Sequence, residues 1–306
     1  MLPLLEIRLP FNPNLIDTGG FVLAWHGLLS FAGVATAVWL VGRWARRDRL
    51  DPDTVYNTAI WAILGGIVGA RVVHVADNWG SVYGFDDPIS LIAVWSGGIA
   101  LWGAILGGWI AGMIYAYISK YPIGKLMDLT APAVLIAQSI GRVGDVINGE
   151  HWSRNTDLFW GWVFTNPANA GFNPPRRLDG ILDPTSASHP AVVYEIIWNM
   201  LVLAVIWRFR DRFRPAGSLW MIYLGLYAFG RFWIQFLRLD DEKFWNLQEA
   251  HLIALGIMAI SVTFVILKVR FRKPGDEPDV PEAPERRSRG RLRRARQRGQ
   301  ERASAG

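Results

Sequence analysis

Arginines, carboxylates and histidines recur in this chain inside or beside strongly apolar runs, a setting where polar side chains are costly and rarely idle. The densest group is Gly141-Arg142-Val143-Gly144-Asp145-Val146-Ile147-Asn148-Gly149-Glu150, which follows the apolar run 131–140 and opens the longest polar stretch before the C-terminal tail. A guanidinium, two carboxylates and an amide fall within it, and its glycines let backbone approach a ligand closely. No Gly-Lys-Ser/Thr ends it and no Gly-x-Gly-x-x-Gly is present, so nucleotide-loop chemistry is not indicated. His26, Arg71, Glu195, Arg231, Gln235, Arg238 and His251 stand near the ends of other apolar runs. Guanidinium donates in a bidentate fork to phosphate oxygens and stays charged in any protein environment, so arginines gathered at one depth suit a phosphate. Arg142 and Arg231 lead, with Arg71 and Arg238 behind them. Ion pairing to Glu150 or Glu195 is the structural alternative for each.

The elements that position these groups are membrane helices. The 306 residues are 51% hydrophobic with 16 Trp and no Cys. Long apolar runs of that kind point to an all-α integral membrane protein, and the lack of Cys excludes disulfides, thiolate metal sites and a cysteinyl intermediate. Spans are expected over about 21–41, 57–76, 89–118, 126–140, 191–207, 217–237 and 252–267. The run 89–118 exceeds the roughly 20 residues one perpendicular span needs, so a break near Trp95-Ser96-Gly97-Gly98 is expected. Gly65, Gly66 and Gly69, like Gly103, Gly107 and Gly108, make small-residue faces for close helix packing. The segment 150–189 reads as a loop whose Trp152, Phe159, Trp160, Trp162 and Phe164 lie at the bilayer interface.

Basic connectors follow the first, third, fifth and seventh spans, and acidic or neutral ones follow the second, fourth and sixth. The excess of Lys/Arg on cytoplasmic loops then gives about seven transmembrane helices with the N-terminus outside and the C-terminus cytoplasmic. His26, Arg71, Arg142, Glu150, Glu195, Arg231, Gln235, Arg238 and His251 all fall towards the outer side, sharing a polar cavity near the outer leaflet. Residues 1–272 form one membrane catalytic domain with an outer-face loop at about 141–190. Residues 273–306 hold ten Lys/Arg and six Asp/Glu, so they supply +4 of the net +6 charge. This basic cytoplasmic tail has little to bury; disorder and contact with anionic membrane lipids are expected, and no nucleic-acid partner.

The decapeptide resembles the signature of the prolipoprotein diacylglyceryl transferases, bacterial integral membrane enzymes, usually Gly-Arg-x-Gly-Asn-x-x-Asn-Gly-Glu, with Asp145 in place of asparagine. The resemblance covers most of 20–272. Trp25-His26-Gly27 is similar to the family's Trp-Tyr-Gly, with His26 at the tyrosine. Trp95 to Gly103 resembles Gly-Gly-x-x-x-His-Gly, with Trp102 at the histidine. His189 to Glu195 matches His-Pro-x-x-x-Tyr-Glu, bringing in Tyr194 and Glu195. Gly230 to Arg238 matches the arginine-bearing sixth span, with Gln235 where glutamate is common.

The resemblance implies transfer of the diacylglyceryl group of phosphatidylglycerol to the lipobox cysteine thiol of a prolipoprotein, giving a thioether and glycerol 1-phosphate. It implies no cofactor, no metal and a place in the bacterial cytoplasmic (inner) membrane, with the active site towards the outer face. By position, Arg142 would bind the lipid phosphate and Arg231 would stabilise the departing one. Asp145, Asn148, Gly149 and Glu150 would shape the headgroup site, with Arg71, Tyr194, Glu195 and Arg238 also lining the substrate. His26, Glu150 and Asp145 are the candidate proton acceptors. The alternative class is a transporter of an anionic or phosphorylated solute. It would need charge at the inner end too, where Asp128 is the one carboxylate noted, and paired broken helices, which are not apparent.

Overall fold

The computed structural model describes residues 6–19, 21–84, 87–94, 97–149, 151–245 and 247–273. Among them, eight α-helices carry the architecture: α1 (Trp25–Arg47), α2 (Pro52–Asp77), α3 (Pro88–Ile92), α4 (Leu101–Ile118), α5 (Ile123–Asn148), α6 (Ala191–Phe209), α7 (Ser218–Gln235) and α8 (Glu249–Lys268). Four two-stranded pairings join the connecting segments. Among the described residues, six helices are long and apolar enough to cross a membrane: α1, α2, α4, α5, α6 and α8. The protein is therefore a mostly helical, multi-pass membrane protein. The expected sixth span corresponds to α7, an 18-residue helix that carries Arg231. The long third run is broken as its length required, into the single-turn α3 and the full-length α4.

The described chain forms two compact units, residues 6–43 with 123–273, and residues 44–122. In the smaller unit, Asp51 caps α2 by accepting from Thr54 N at 3.2 Å, and Pro52 takes the first helical position, where no N–H is needed. Lipid gives helices no hydrophobic reason to associate, so close packing must do it. The small-residue faces expected from sequence supply it: a Cβ added to Gly69 would stand 2.9 Å from Gly107 Cα of α4. Arg71 is buried here, donating to the carbonyls of Ser90 and Leu91 in α3 and of Gly97 and Gly98 in the break before α4.

In the larger unit, apolar residues four apart on three helices make one core. Ala131 and Leu135 of α5 meet Val202 and Ile206 of α6, and Leu219 and Tyr223 of α7. Asp128 of α5 accepts from Gly217 N at 2.8 Å and Trp220 N at 3.0 Å, so it caps α7. Gln248 and His251 form a reciprocal capping box at the start of α8. Residues 7–9 pair in parallel with 162–164, and Trp162 is buried with Leu9 and Val192. The expectation of an interfacial aromatic loop thus divides: Phe159 is exposed, but Trp162 is core, because strand pairing turns it inward.

Candidate active site

The signature segment is the last two turns of α5 rather than the start of a loop, and the loop opens only at Gly149. Helical geometry explains its spacing: Arg142, Asp145 and Asn148 recur every three residues and so share one face. Two glycines act on packing and termination. A Cβ on Gly144 would stand 2.8 Å from His26 Cα, so glycine lets α1 and α5 touch at this level. Gly149 has φ +72°, ends the helix, and leaves no room for a Cβ beside Asn169. Asn169, fully buried and unmarked by the sequence reading, donates to Ile147 O at 2.6 Å and accepts from Gly171 N at 2.8 Å.

Glu195 is the centre of the site. Its carboxylate, 3% exposed, meets Arg142 Nη2 at 2.6 Å, Arg238 Nη1 at 3.4 Å, and Arg231 Nη1. Arg142 Nη1 also donates to Asp145 Oδ2 at 2.7 Å. Arg238 donates from Nε to Asp240 Oδ2 at 3.1 Å and is joined there by Gln235 Nε2 at 2.7 Å. Three guanidinium groups thus face three carboxylates, and the cluster is electrically balanced. Burial alone would raise the Asp240 carboxyl. Arg238 and the Gln235 amide outweigh it and hold Asp240 below the ordinary carboxylate range. The amide at 235 is the chemistry this contact requires, since a carboxylate there would face Asp240 with like charge.

The three arginines are not equivalent. The Arg238 side chain is 5% exposed and divides its donors among Glu195, Asp240 and His151, whereas Arg142 and Arg231 are 20% and 18% exposed. Among the described residues, Arg231 uses one of its donors, on Glu195. Arg142 and Arg231 are therefore the guanidinium groups with access left for a ligand.

His151 was not singled out by the sequence, yet it joins this cluster. Its Nδ1 lies 2.8 Å from Arg238 Nη2 and its Nε2 lies 3.2 Å from Asp145 Oδ2. A guanidinium can only donate, so Nδ1 accepts, Nε2 carries the proton, and Asp145 receives it. Arg142 Nη1, 3.3 Å from Nε2, is then a second donor to the same oxygen. Backbone pairing places the ring: Arg154 N donates to Leu237 O at 2.8 Å and Leu239 N donates to Trp152 O at 3.1 Å, fastening 152–154 to 237–239. The one available signal was a histidine directly following a polar signature.

The other expected residues distribute as follows. His26 Nδ1 stands 2.7 Å from Asp145 Oδ1, a close approach off the axis of an ideal hydrogen bond. Tyr194 points elsewhere: its hydroxyl accepts from Trp160 Nε1 at 2.7 Å and meets His189 Nδ1 at 3.3 Å. Partial burial holds the His189 imidazole below the ordinary histidine range. Arg71 has its guanidinium committed to backbone carbonyls of the smaller unit. Asn148 closes α5, and Glu150 lies outside the described residues, as does the tail from 274. His251, fully buried, accepts from Gln248 N at 3.2 Å and packs on Phe232 and Phe236.

Three segments far apart in sequence therefore meet at Glu195: the α5 signature, the α6 start, and the α7 end with Arg238 just beyond it. The family model described as prolipoprotein diacylglyceryl transferase matches residues 13–267. The chain belongs to the prolipoprotein diacylglyceryl transferase family. Relatives named phosphatidylglycerol--prolipoprotein diacylglyceryl transferase agree over most of its length. The protein from Thermosynechococcus vestitus is 35% identical over 80% of this chain and 88% of its own. That from Trichormus variabilis is 34% identical over 92% and 98%, and that from Rhodococcus jostii 37% over 74% and 64%. Within the family's pattern, two departures noted in the sequence, His26 and Asp145, are in contact with one another.

Proposed function

We infer that this transferase moves the diacylglyceryl group of phosphatidylglycerol to the lipobox cysteine thiol of a prolipoprotein. The observation that carries this reading is the convergence of Arg142 and Arg231, with access remaining, on the buried carboxylate of Glu195. In the reaction the thiolate sulfur forms a bond to the glycerol carbon while that carbon's bond to the phosphate oxygen breaks. The electron pair leaves with glycerol 1-phosphate. Charge thus accumulates on the phosphate as the transition state is reached, and fixed guanidinium groups in a low-dielectric setting stabilise it. Arg142 holds the lipid phosphate and Arg231 the departing one. Asn148, Gly149 and Glu150 shape the headgroup site. A free thiol ionises near about 8.5, so a neighbouring base speeds attack at neutral pH. Of the candidates, His26 has a side chain 42% exposed and thus open to a ligand. The transporter reading loses its inner-end group, because Asp128 is committed to capping α7.

Purified protein, phosphatidylglycerol and a lipobox peptide should together yield a peptide heavier by one diacylglyceryl group. A peptide of unchanged mass, with protein shown to be folded, would sink the reading.

The alternation of basic and acidic connectors supports seven spans in the bacterial cytoplasmic membrane, with the N-terminus and the arginine cluster outside and the tail on anionic headgroups within. A reporter active only in the cytoplasm is expected to work when fused after Arg214 and to be silent after Glu242. The opposite pattern would put the site on the inner face and overturn this topology.

A further inference from the structure

Two histidines flank Asp145, and their ring geometry assigns them different tasks. His151 has both nitrogens engaged, Nδ1 with Arg238 and Nε2 with Asp145. His26 has Nδ1 against Asp145 Oδ1 at 2.7 Å, while no partner for its Nε2 is found among the described residues. A carboxylate oxygen and an unprotonated ring nitrogen would repel at that distance, which assigns the proton to Nδ1; the two atoms lie off the axis of a hydrogen bond, so the contact is electrostatic. In the neutral ring Nε2 is then the bare nitrogen, and it belongs to the more exposed side chain. Asp145 is itself fixed. It is 5% exposed, and its other oxygen receives Arg142 and His151. Gly144 allows the approach, because any side chain there would push α1, and His26 with it, away from α5.

We propose that His26 and Asp145 act as a dyad in which Asp145 is a positioning residue, holding the His26 ring so that Nε2 takes the proton of the attacking thiol. The step balances: the S–H proton passes to Nε2, the sulfur bonds to the glycerol carbon, and the phosphate oxygen leaves with the C–O pair. The imidazolium so formed is stabilised by the adjacent carboxylate. Asp145 thus serves the reaction through His26, rather than by shaping the headgroup site as its place in the signature suggests. This rests on the transferase reading. The charged and titratable groups facing the pair from neighbouring elements are Arg142 on α5 and His151 from the loop, both acting on the Asp145 oxygen remote from His26. Removing the carboxylate removes both the positioning of the ring and the stabilisation of the imidazolium formed in the step.

A double-mutant cycle tests coupling. Asp145→Asn is expected to lower kcat by roughly 10- to 100-fold in the native background, with a smaller change in KM for phosphatidylglycerol. In a His26→Tyr background the same change should cost less than about threefold, since there is no imidazole left to hold. Equal factors in both backgrounds would overturn the dyad. In parallel, the tautomer of the His26 ring is followed by NMR of nitrogen-labelled imidazole. The Nδ1-protonated tautomer should lose population in Asp145→Asn, and an unchanged tautomer would also overturn it. That second readout needs no turnover, so loss of transfer in native protein would refute the transferase reading while the ring contact is still measured. Should Asp145→Asn alone fail to fold, His26→Phe keeps Asp145 in place. It should slow transfer at least as much as the roughly 10- to 100-fold expected of Asp145→Asn, and a native rate contradicts the proposal.

Discussion

Arg231→Lys is expected to lower kcat by about 10²- to 10³-fold while the protein keeps its fold. Lysine preserves the charge that Glu195 requires, so the buried carboxylate is not left alone. What is lost is the planar fork that can hold Glu195 with one arm and a phosphate oxygen with another. Arg142→Lys is expected to fall similarly, with a larger rise in KM for the lipid, because Arg142 is assigned to the phosphate before bond breaking. Steady-state rates in mixed micelles, read beside thermal unfolding, separate the two effects. Native turnover in either lysine variant would remove phosphate recognition from that residue. Alanine is a poorer test here, since it strips a partner from Glu195 and so mixes stability with chemistry.

Glu195→Gln carries the other large effect, and it falls on stability. The amide keeps the shape but removes the negative charge that Arg142, Arg231 and Arg238 all approach. Breaking a buried ionic cluster from one side costs about 3–5 kcal/mol, because the remaining charges are left unpaired in a low dielectric. Unfolding followed in detergent should show that loss, and raising the concentration of inorganic phosphate should restore part of it. A variant as stable as the native protein would mean that the arginines do not depend on Glu195 for balance.

Much of this was legible in the chain. Helix-length apolar runs marked the helices, six of them long and apolar enough to span among the described residues, their small-residue faces supply the close α2–α4 packing, and Arg142, Glu195 and Arg231, each beside an apolar run, come together in one cluster. The residues missed were those whose neighbours are set by distant pairing. His151 reaches Arg238 only because 152–154 bonds to 237–239, a register no local pattern encodes. Asp145 and His26 read as two separate departures until the bare backbone of Gly144 was seen to bring α1 against α5. Arg71 shows the converse. Its place near the end of an apolar run suggested phosphate, but the end of α3 and the irregular backbone before α4 expose carbonyls that a guanidinium satisfies. The signature was placed at the start of the outer-face loop, and its three glycines fit that placement. Helix propensity is a weak guide where tertiary packing decides, and here packing carries α5 through to Asn148.

Carbon–oxygen cleavage of the lipid is assigned to the Arg142–Arg231 pair. It is tested most directly by single-turnover reaction of the protein with phosphatidylglycerol labelled in its headgroup glycerol and a lipobox peptide. One labelled glycerol 1-phosphate should appear for each peptide thioether in native protein, and both should fall together in Arg142→Lys and Arg231→Lys. Release of the label without a thioether, or thioether formation undiminished in both lysine variants, would contradict it.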